Sequence, residues 1–236
     1  MPRKVCVTLM GMSGVGKSHF SKMLAEWGWQ RYSCDEEIGK VLLNDHSGDI
    51  SFLTELLGKL GDPAKGGYAL EDFKKRQKMY GDAEAAVTLA MGEAAAKADQ
   101  NFVYDSSGSL CELEDPAVMK HIDENSRVVY IRATPEHEKA VLARALTSPK
   151  PIFYPPSRFD SWVKQYLHEQ GLSSAEEMDP TAFFTWVFPI LFKERLPKYE
   201  MMSQKYGISI SSEDLMKVKN EEEFLELIDS AAYAHG

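Results

Sequence analysis

Residues 11–18 read Gly-Met-Ser-Gly-Val-Gly-Lys-Ser, and Gly11, Gly16, Lys17 and Ser18 satisfy the pattern G-x-x-x-x-G-K-[ST]. No other stretch restricts the possible folds so strongly. A chain that turns around an anion must aim successive N–H groups inward, and glycines permit both the backbone angles and the close approach. Such a loop needs a strand to hold its start and a helix whose positive N-terminal end faces the anion. The flanking pattern supplies both. Lys4 to Leu9 is apolar and β-branched, and Phe20, Met23, Leu24 and Trp27 recur at helical spacing after Lys17. Gly11, Ser13, Gly14, Val15 and Gly16 are therefore candidates to cradle phosphate. Lys17 would place its charge near the β- and γ-phosphates, and Ser18 would offer a hydroxyl to Mg²⁺.

The alternation continues along the chain. Strands are expected at 29–34, 101–107, 127–133 and 207–211, and helices at 35–43, 49–60, 70–98 (broken near Gly81) and 221–232, with a loop at 61–67. Strands alternating with helices imply an α/β fold with a parallel sheet covered on both faces. A chain of 236 residues, 44% of them hydrophobic, can fill the core of one such domain. The net charge of -9 argues against a non-specific grip on nucleic acid or on an anionic membrane, so phosphate must be held by a few concentrated donors. Cys6, Cys34 and Cys111 are widely spaced, show no metal-ligand pattern and suit a reducing compartment. The polar start leads into only a short apolar run, and Ala182 to Phe192 is too short to span a bilayer and contains Pro189. A cytoplasmic monomer or homodimer, without membrane or nucleic-acid partners, is expected.

A phosphate loop alone names no reaction. A guanine-reading GTPase would carry Asn-Lys-x-Asp, which does not occur, and Asp105 to Gly108 matches only the short pattern D-x-x-G. A motor ATPase follows its strand-end Asp with a Glu that activates water, whereas Ser106 and Ser107 follow Asp105. A small-molecule kinase needs neither. It needs an acceptor site and a cover that keeps water out.

At this point a family pattern emerges. The phosphate loop, Tyr32 to Gly39, the glycine-containing turn after Asp105, the run from Val128 to Pro151 and the run from Lys193 to Ile210 occur in the order seen in shikimate kinases. The chain resembles that family over most of its length, except roughly 152–191. The resemblance implies the P-loop kinase fold shared with nucleoside-monophosphate kinases: a five-stranded parallel sheet flanked by helices. It implies one domain over 1–236, with a helical acceptor-binding region at 35–98 and a mobile lid, here expanded into a helical insertion at 147–192. It further implies ATP as co-substrate and Mg²⁺ held by Ser18 and Asp105. Asp35 would orient and deprotonate the acceptor hydroxyl. Arg144 would stack on adenine, and Lys150 would join Lys17 in neutralising charge on the transferred phosphoryl group. Lys74, Gly108 and Arg195 would bind the acceptor, with Arg195 turned toward an anionic group.

From the residues alone, Asp35 also reads as a helix cap and Asp105 as a turn former, while Arg144, Lys150, Lys74 and Arg195 also read as solvated charges. The chain departs from the family at several points. Ser33 stands where the family has a second Asp, Lys74 and Lys150 stand where it has Arg, and Ser107-Gly108-Ser109 replaces a run of glycines. Lysine cannot reproduce a bidentate arginine contact. These departures imply an acceptor other than shikimate. The aromatics of the insertion, Phe153, Tyr154, Phe159, Trp162, Phe183, Phe184, Trp186 and Phe188, read either as pocket walls or as packing onto the core or a second copy, with packing preferred. The expected activity is transfer of the γ-phosphoryl group of ATP to a hydroxyl of a small molecule. A nucleotide or nucleoside kinase, and a nucleotide-dependent switch without acceptor chemistry, are the alternatives.

Overall fold

The computed structural model describes residues 4–113, 115–148 and 152–233. β1 (Cys6–Met10) runs into the glycine loop and on into α1 (Lys17–Glu26). β2 (Gln30–Ser33) passes directly into α2 (Cys34–Leu43), followed by the short α3 (Phe52–Leu57) and the long α4 (Leu70–Lys97). Then come β3 (Phe102–Asp105), α5 (Pro116–Asn125), β4 (Arg127–Arg132) and α6 (Pro135–Thr147). α7 (Pro156–Gln170) and α8 (Pro180–Tyr206) precede β5 (Gly207–Ser211), α9 (Ser212–Leu215) and α10 (Glu221–Tyr233).

The strands form one parallel sheet in the order β2-β3-β1-β4-β5. Phe102 to Tyr104 and Val128 to Ile131 are at most 2% exposed, as a sheet covered on both faces requires. The chain passes from β1 to β2 and β3 on one side of β1 and then crosses to β4 and β5 on the other, so a crevice opens beyond the carboxyl ends of the central strands. Register decides what meets there. Asp105 pairs with Leu9 on one side and with Ser33 on the other. Gly11, Asp35 and Ser107 each follow their aligned strand residue by two positions, so two loops and the first turn of α2 converge on one edge.

Several expected elements change. The helix expected over 49–60 is confined to Phe52–Leu57. Asp45 and Asp49 accept hydrogen bonds from the Ser47 and Ser51 amides, and these local turns hold the preceding backbone out of helix. The break expected near Gly81 does not occur, and α4 is continuous. A lone glycine costs a helix about 1 kcal/mol, less than α4 gains by burying Val87 and Met91 along one face. α8 runs through Pro189 and Pro197, where no helix had been assigned. Each proline removes an intrahelical hydrogen bond. Two apolar stripes offset this: Phe183, Val187 and Leu191 face the core of the insertion, while Phe184, Phe188 and Phe192 face the main core.

The insertion therefore has a hydrophobic centre of its own. Phe73 of α4 stacks on Phe159 with ring centroids 5.5 Å apart, and Tyr166 meets Phe183 edge-on at 5.2 Å. Phe153, Tyr154, Phe159, Trp162, Phe183, Phe184 and Phe188 are buried in packing. The start of the segment expected as lid is anchored. Gln77 of α4 donates to the Ile152 carbonyl at 3.1 Å and accepts from the Tyr154 amide at 2.9 Å. Among the described residues, no helix is long and apolar enough to cross a membrane.

Candidate active site

The phosphate loop has the backbone that its sequence requires. Gly16, the residue before α1, has φ 100°, a left-handed conformation that side chains disfavour. Ser13, Gly14, Gly16 and Ser18 are exposed, whereas Gly11, Val15 and Lys17 are buried. Lys17 Nζ donates to the carbonyls of Gly11 (2.7 Å) and Met12 (3.2 Å). Burial pushes the Lys17 pKa down, and the negative charges of Asp105 and Asp35 partly offset this.

Asp105, at the carboxyl end of β3, is buried beside the loop. Its Oδ1 lies 3.3 Å from Ser18 Oγ, and its Oδ2 accepts from Ser21 Oγ and from Arg31 Nη2, both at 2.9 Å. Arg31 also pairs with Glu36 at 2.7 Å. Ser18 Oγ and Asp105 Oδ1 are hard oxygen donors at a phosphate loop, which fits Mg²⁺. That ion keeps several waters and uses one or two carboxylates besides phosphate oxygens. No cluster of three or more His, Cys, Asp or Glu ligands occurs among the described residues, so a site built on protein ligands alone is not present there.

A cavity of about 310 Å³ lies between the phosphate loop and α3, lined by Ser13, Asp35, Tyr80, Gly108, Phe153 and Arg195 among others. Asp35 sits in the first turn of α2. Ser33 occupies the cap position, and the Asp35 carboxylate makes no hydrogen bond among the described residues. Its pKa is raised to about 6, first by burial and then by Asp105 and Glu36, while Lys17 and Arg31 oppose the rise. Gly108 stands where a Cβ would come within 2.3 Å of Ser13 Oγ, which ties the turn after β3 to the phosphate loop. The flanking serines do not point idly into the cavity. Ser107 Oγ and Ser109 Oγ both donate to the carboxylate of Glu84, the latter at 2.8 Å.

Glu84 is fully buried on α4, and burial raises its pKa to about 7 despite the two serine hydrogen bonds. It was absent from the sequence-derived candidates, as were Tyr80, Arg31 and Glu112. A signal for Glu84 exists: Tyr80, Val87 and Met91 mark the buried stripe of α4, and Glu84 occupies a position in that stripe. Arg31 and Glu112 carry no comparable pattern.

Arg195 reaches the cavity wall from α8 and is buried. Its Nε donates to Glu112 at 3.0 Å and its Nη2 to the Phe153 carbonyl at 2.8 Å. Lys198 also pairs with Glu112. Lys74 departs from expectation: it makes an ion pair with Asp160 at 2.8 Å and lines a separate cavity of about 590 Å³ with Phe153 and Phe159. It precedes Glu84 by ten residues on α4, about 15 Å along the axis at 1.5 Å per residue. Arg144, exposed on α6, lines a third cavity of about 420 Å³ with Ser13, Gly14 and Phe188. Lys150 lies outside the described residues.

The strand order, the phosphate loop at the switch point and the aspartate ending β3 define a parallel α/β fold with a phosphate-binding loop. Solved structures similar to the chain include a shikimate kinase from Bacteroides thetaiotaomicron, at 14% identity over 80% of this chain and 98% of that one, with a TM-score of 0.39. A shikimate kinase from Acinetobacter baumannii in complex with shikimate gives 14% identity over 82% and 96%, with a TM-score of 0.38. A sugar kinase from Janibacter sp. gives 14% identity over 99% of both chains, with a TM-score of 0.38. No protein-family model and no curated protein sequence matches the chain.

Proposed function

We propose that the protein is an ATP- and Mg²⁺-dependent kinase that transfers the γ-phosphoryl group to a hydroxyl of a small acceptor. The observation that carries this reading is one cavity with Ser13 of the phosphate loop on one side and, on the other, the Asp35 carboxylate, which makes no hydrogen bond among the described residues. ATP would lie with its phosphates against residues 11–18 and its base toward Arg144 and Phe188. Mg²⁺ bound between the phosphates and Ser18 and Asp105 would supply charge neutralisation. Asp35 orients the acceptor hydroxyl and takes its proton as the oxygen forms its bond to the γ-phosphorus and the bond to the bridging oxygen of ADP breaks. A carboxyl with a pKa near 6 is ionised at neutral pH and still basic enough to receive that proton. Lys17 holds charge at the phosphates throughout. The expanded segment at 147–192 and Lys150 would contribute to a cover over the site.

Coupled ADP release tests the reading. A panel of hydroxyl compounds with Mg²⁺-ATP should contain one that stimulates ADP formation far above the basal rate, with stoichiometric phosphorylated product by mass spectrometry. Lys17→Ala should abolish that stimulation while leaving the folded protein intact. A nucleotide-dependent switch would bind ATP and respond to no member of the panel.

A further inference from the structure

The acceptor cavity is walled differently from one that receives an anion. Among the described residues its cationic side chain is Arg195, and the Nε–Nη2 edge of that guanidinium, one of the two edges a carboxylate can take, is occupied by Glu112 and the Phe153 carbonyl. The acidic groups have no such direct pairing: Lys17 and Arg31 act on Asp35, and Arg195 on Glu84, only through space. Asp35 lines the cavity without a hydrogen bond among the described residues, and Glu84 lies directly behind the serine turn with only neutral hydroxyls bonded to it. Lys17 is turned toward the phosphate loop, where nucleotide would bring further negative charge.

We infer that the acceptor is an electroneutral polyol of monosaccharide size, bearing neither carboxylate nor phosphate, and that Glu84 is a positioning and specificity residue that repels anionic acceptors through Ser107 and Ser109. The inference rests on the kinase reading above and narrows its substrate class. Hydroxyl groups suit this wall because each can donate to Asp35 and accept from the Tyr80 phenol. A carboxylate in the same place would face the Asp35 carboxylate, with Glu84 behind the serine turn, and like charges so placed are unfavourable. The volume of about 310 Å³ admits a single ring and lies at the small end of ligand pockets.

The test uses the intact chain with Mg²⁺-ATP at pH 8, where Glu84 is ionised. Neutral polyols (myo-inositol, D-glucose, D-sorbitol) are compared with carboxylated counterparts of similar size (shikimate, quinate, D-gluconate) by coupled ADP release. The best neutral compound should exceed the best carboxylate by at least tenfold in kcat/KM. In Glu84→Gln that ratio should fall by about tenfold, through KM for the carboxylates, while KM for ATP stays unchanged; a merely structural role would lower all acceptors together. A carboxylate preferred by the wild type would overturn the inference and leave the kinase reading standing. A response to no hydroxyl compound, with ATP still bound, would overturn both. Should Glu84→Gln not fold, the selectivity of the wild type decides alone.

Discussion

Glu84 makes folding depend on pH in a direction opposite to that of an ordinary salt-bridged carboxylate. Its folded pKa is raised from 4.5 to about 7, chiefly by burial. The native state thus holds a proton that the unfolded chain releases. Stability from this group is fully present below about pH 4.5 and is lost as pH rises through 7. At about 1.4 kcal/mol per pKa unit the loss approaches roughly 3 kcal/mol. Asp35 acts in the same sense over a lower window, ending near pH 6. Glu84→Gln should therefore melt at a higher temperature than the wild type at pH 8, with the two converging near pH 4.5; thermal denaturation across that range would show a constant gap if the carboxyl were not buried as described. Asp35 has a kinetic counterpart. If it orients and deprotonates the acceptor, Asp35→Asn should lower kcat by roughly 10²–10⁴ while leaving ATP affinity nearly intact. Near-normal turnover in steady-state assays would remove Asp35 from the chemistry.

At the scale of elements, Gln77 substitutes for a strand. Its amide pairs with both the carbonyl of Ile152 and the N–H of Tyr154, so α4 holds the entry to the insertion by a two-point contact. Gln77→Ala leaves both backbone groups unpaired at a largely buried position, at a cost of about 1–3 kcal/mol. Hydrogen exchange should then accelerate at Tyr154 without any loss of nucleotide binding. In the wild type, residues 152–158 should be protected with or without ligands, and Mg²⁺-ATP with acceptor should slow exchange at the end of α6, around Arg144. Unprotected amides at 152–158 in the free protein would favour the mobile lid expected over 147–192. The elements differ in how far their sequences reveal them. The central strands β1, β3 and β4 follow from local pattern because a doubly covered sheet needs apolar runs, and α1 follows from its helical spacing of apolar residues. The helix from 180 to 206 was hidden by Pro189 and Pro197, since only the tertiary contacts of its two stripes outweigh the prolines. Site residues divide in the same way. The phosphate loop is legible because its chemistry fixes residue type and spacing. Glu84 meets its serines 23 and 25 positions away, a pairing that no local spacing encodes.

For the whole molecule, nucleotide binding and folding are linked. A ligand that binds only the folded state stabilises it by mass action, about 2.7 kcal/mol at a hundredfold excess over Kd. Mg²⁺-ATP should raise the Tm of the wild type and leave that of Lys17→Ala nearly unchanged; equal shifts in differential scanning fluorimetry would mean that nucleotide binds somewhere other than the phosphate loop. The continuity of α8 bears on how this protein can be cut down. One rod presents Phe183 to the insertion, Phe188 to the main core and Arg195 to the cavity beside the phosphate loop, and then delivers the chain to the edge strand β5. No seam therefore exists at which the extra mass can be excised. Deleting 152–191 would strip Phe73 of its aromatic partners, remove the Phe153 carbonyl from Arg195 and take Phe184 and Phe188 from the main core. What looks in the alphabet of the sequence like an appendage is, in the solid, a keystone, and a fragment without it would lose part of the main core as well.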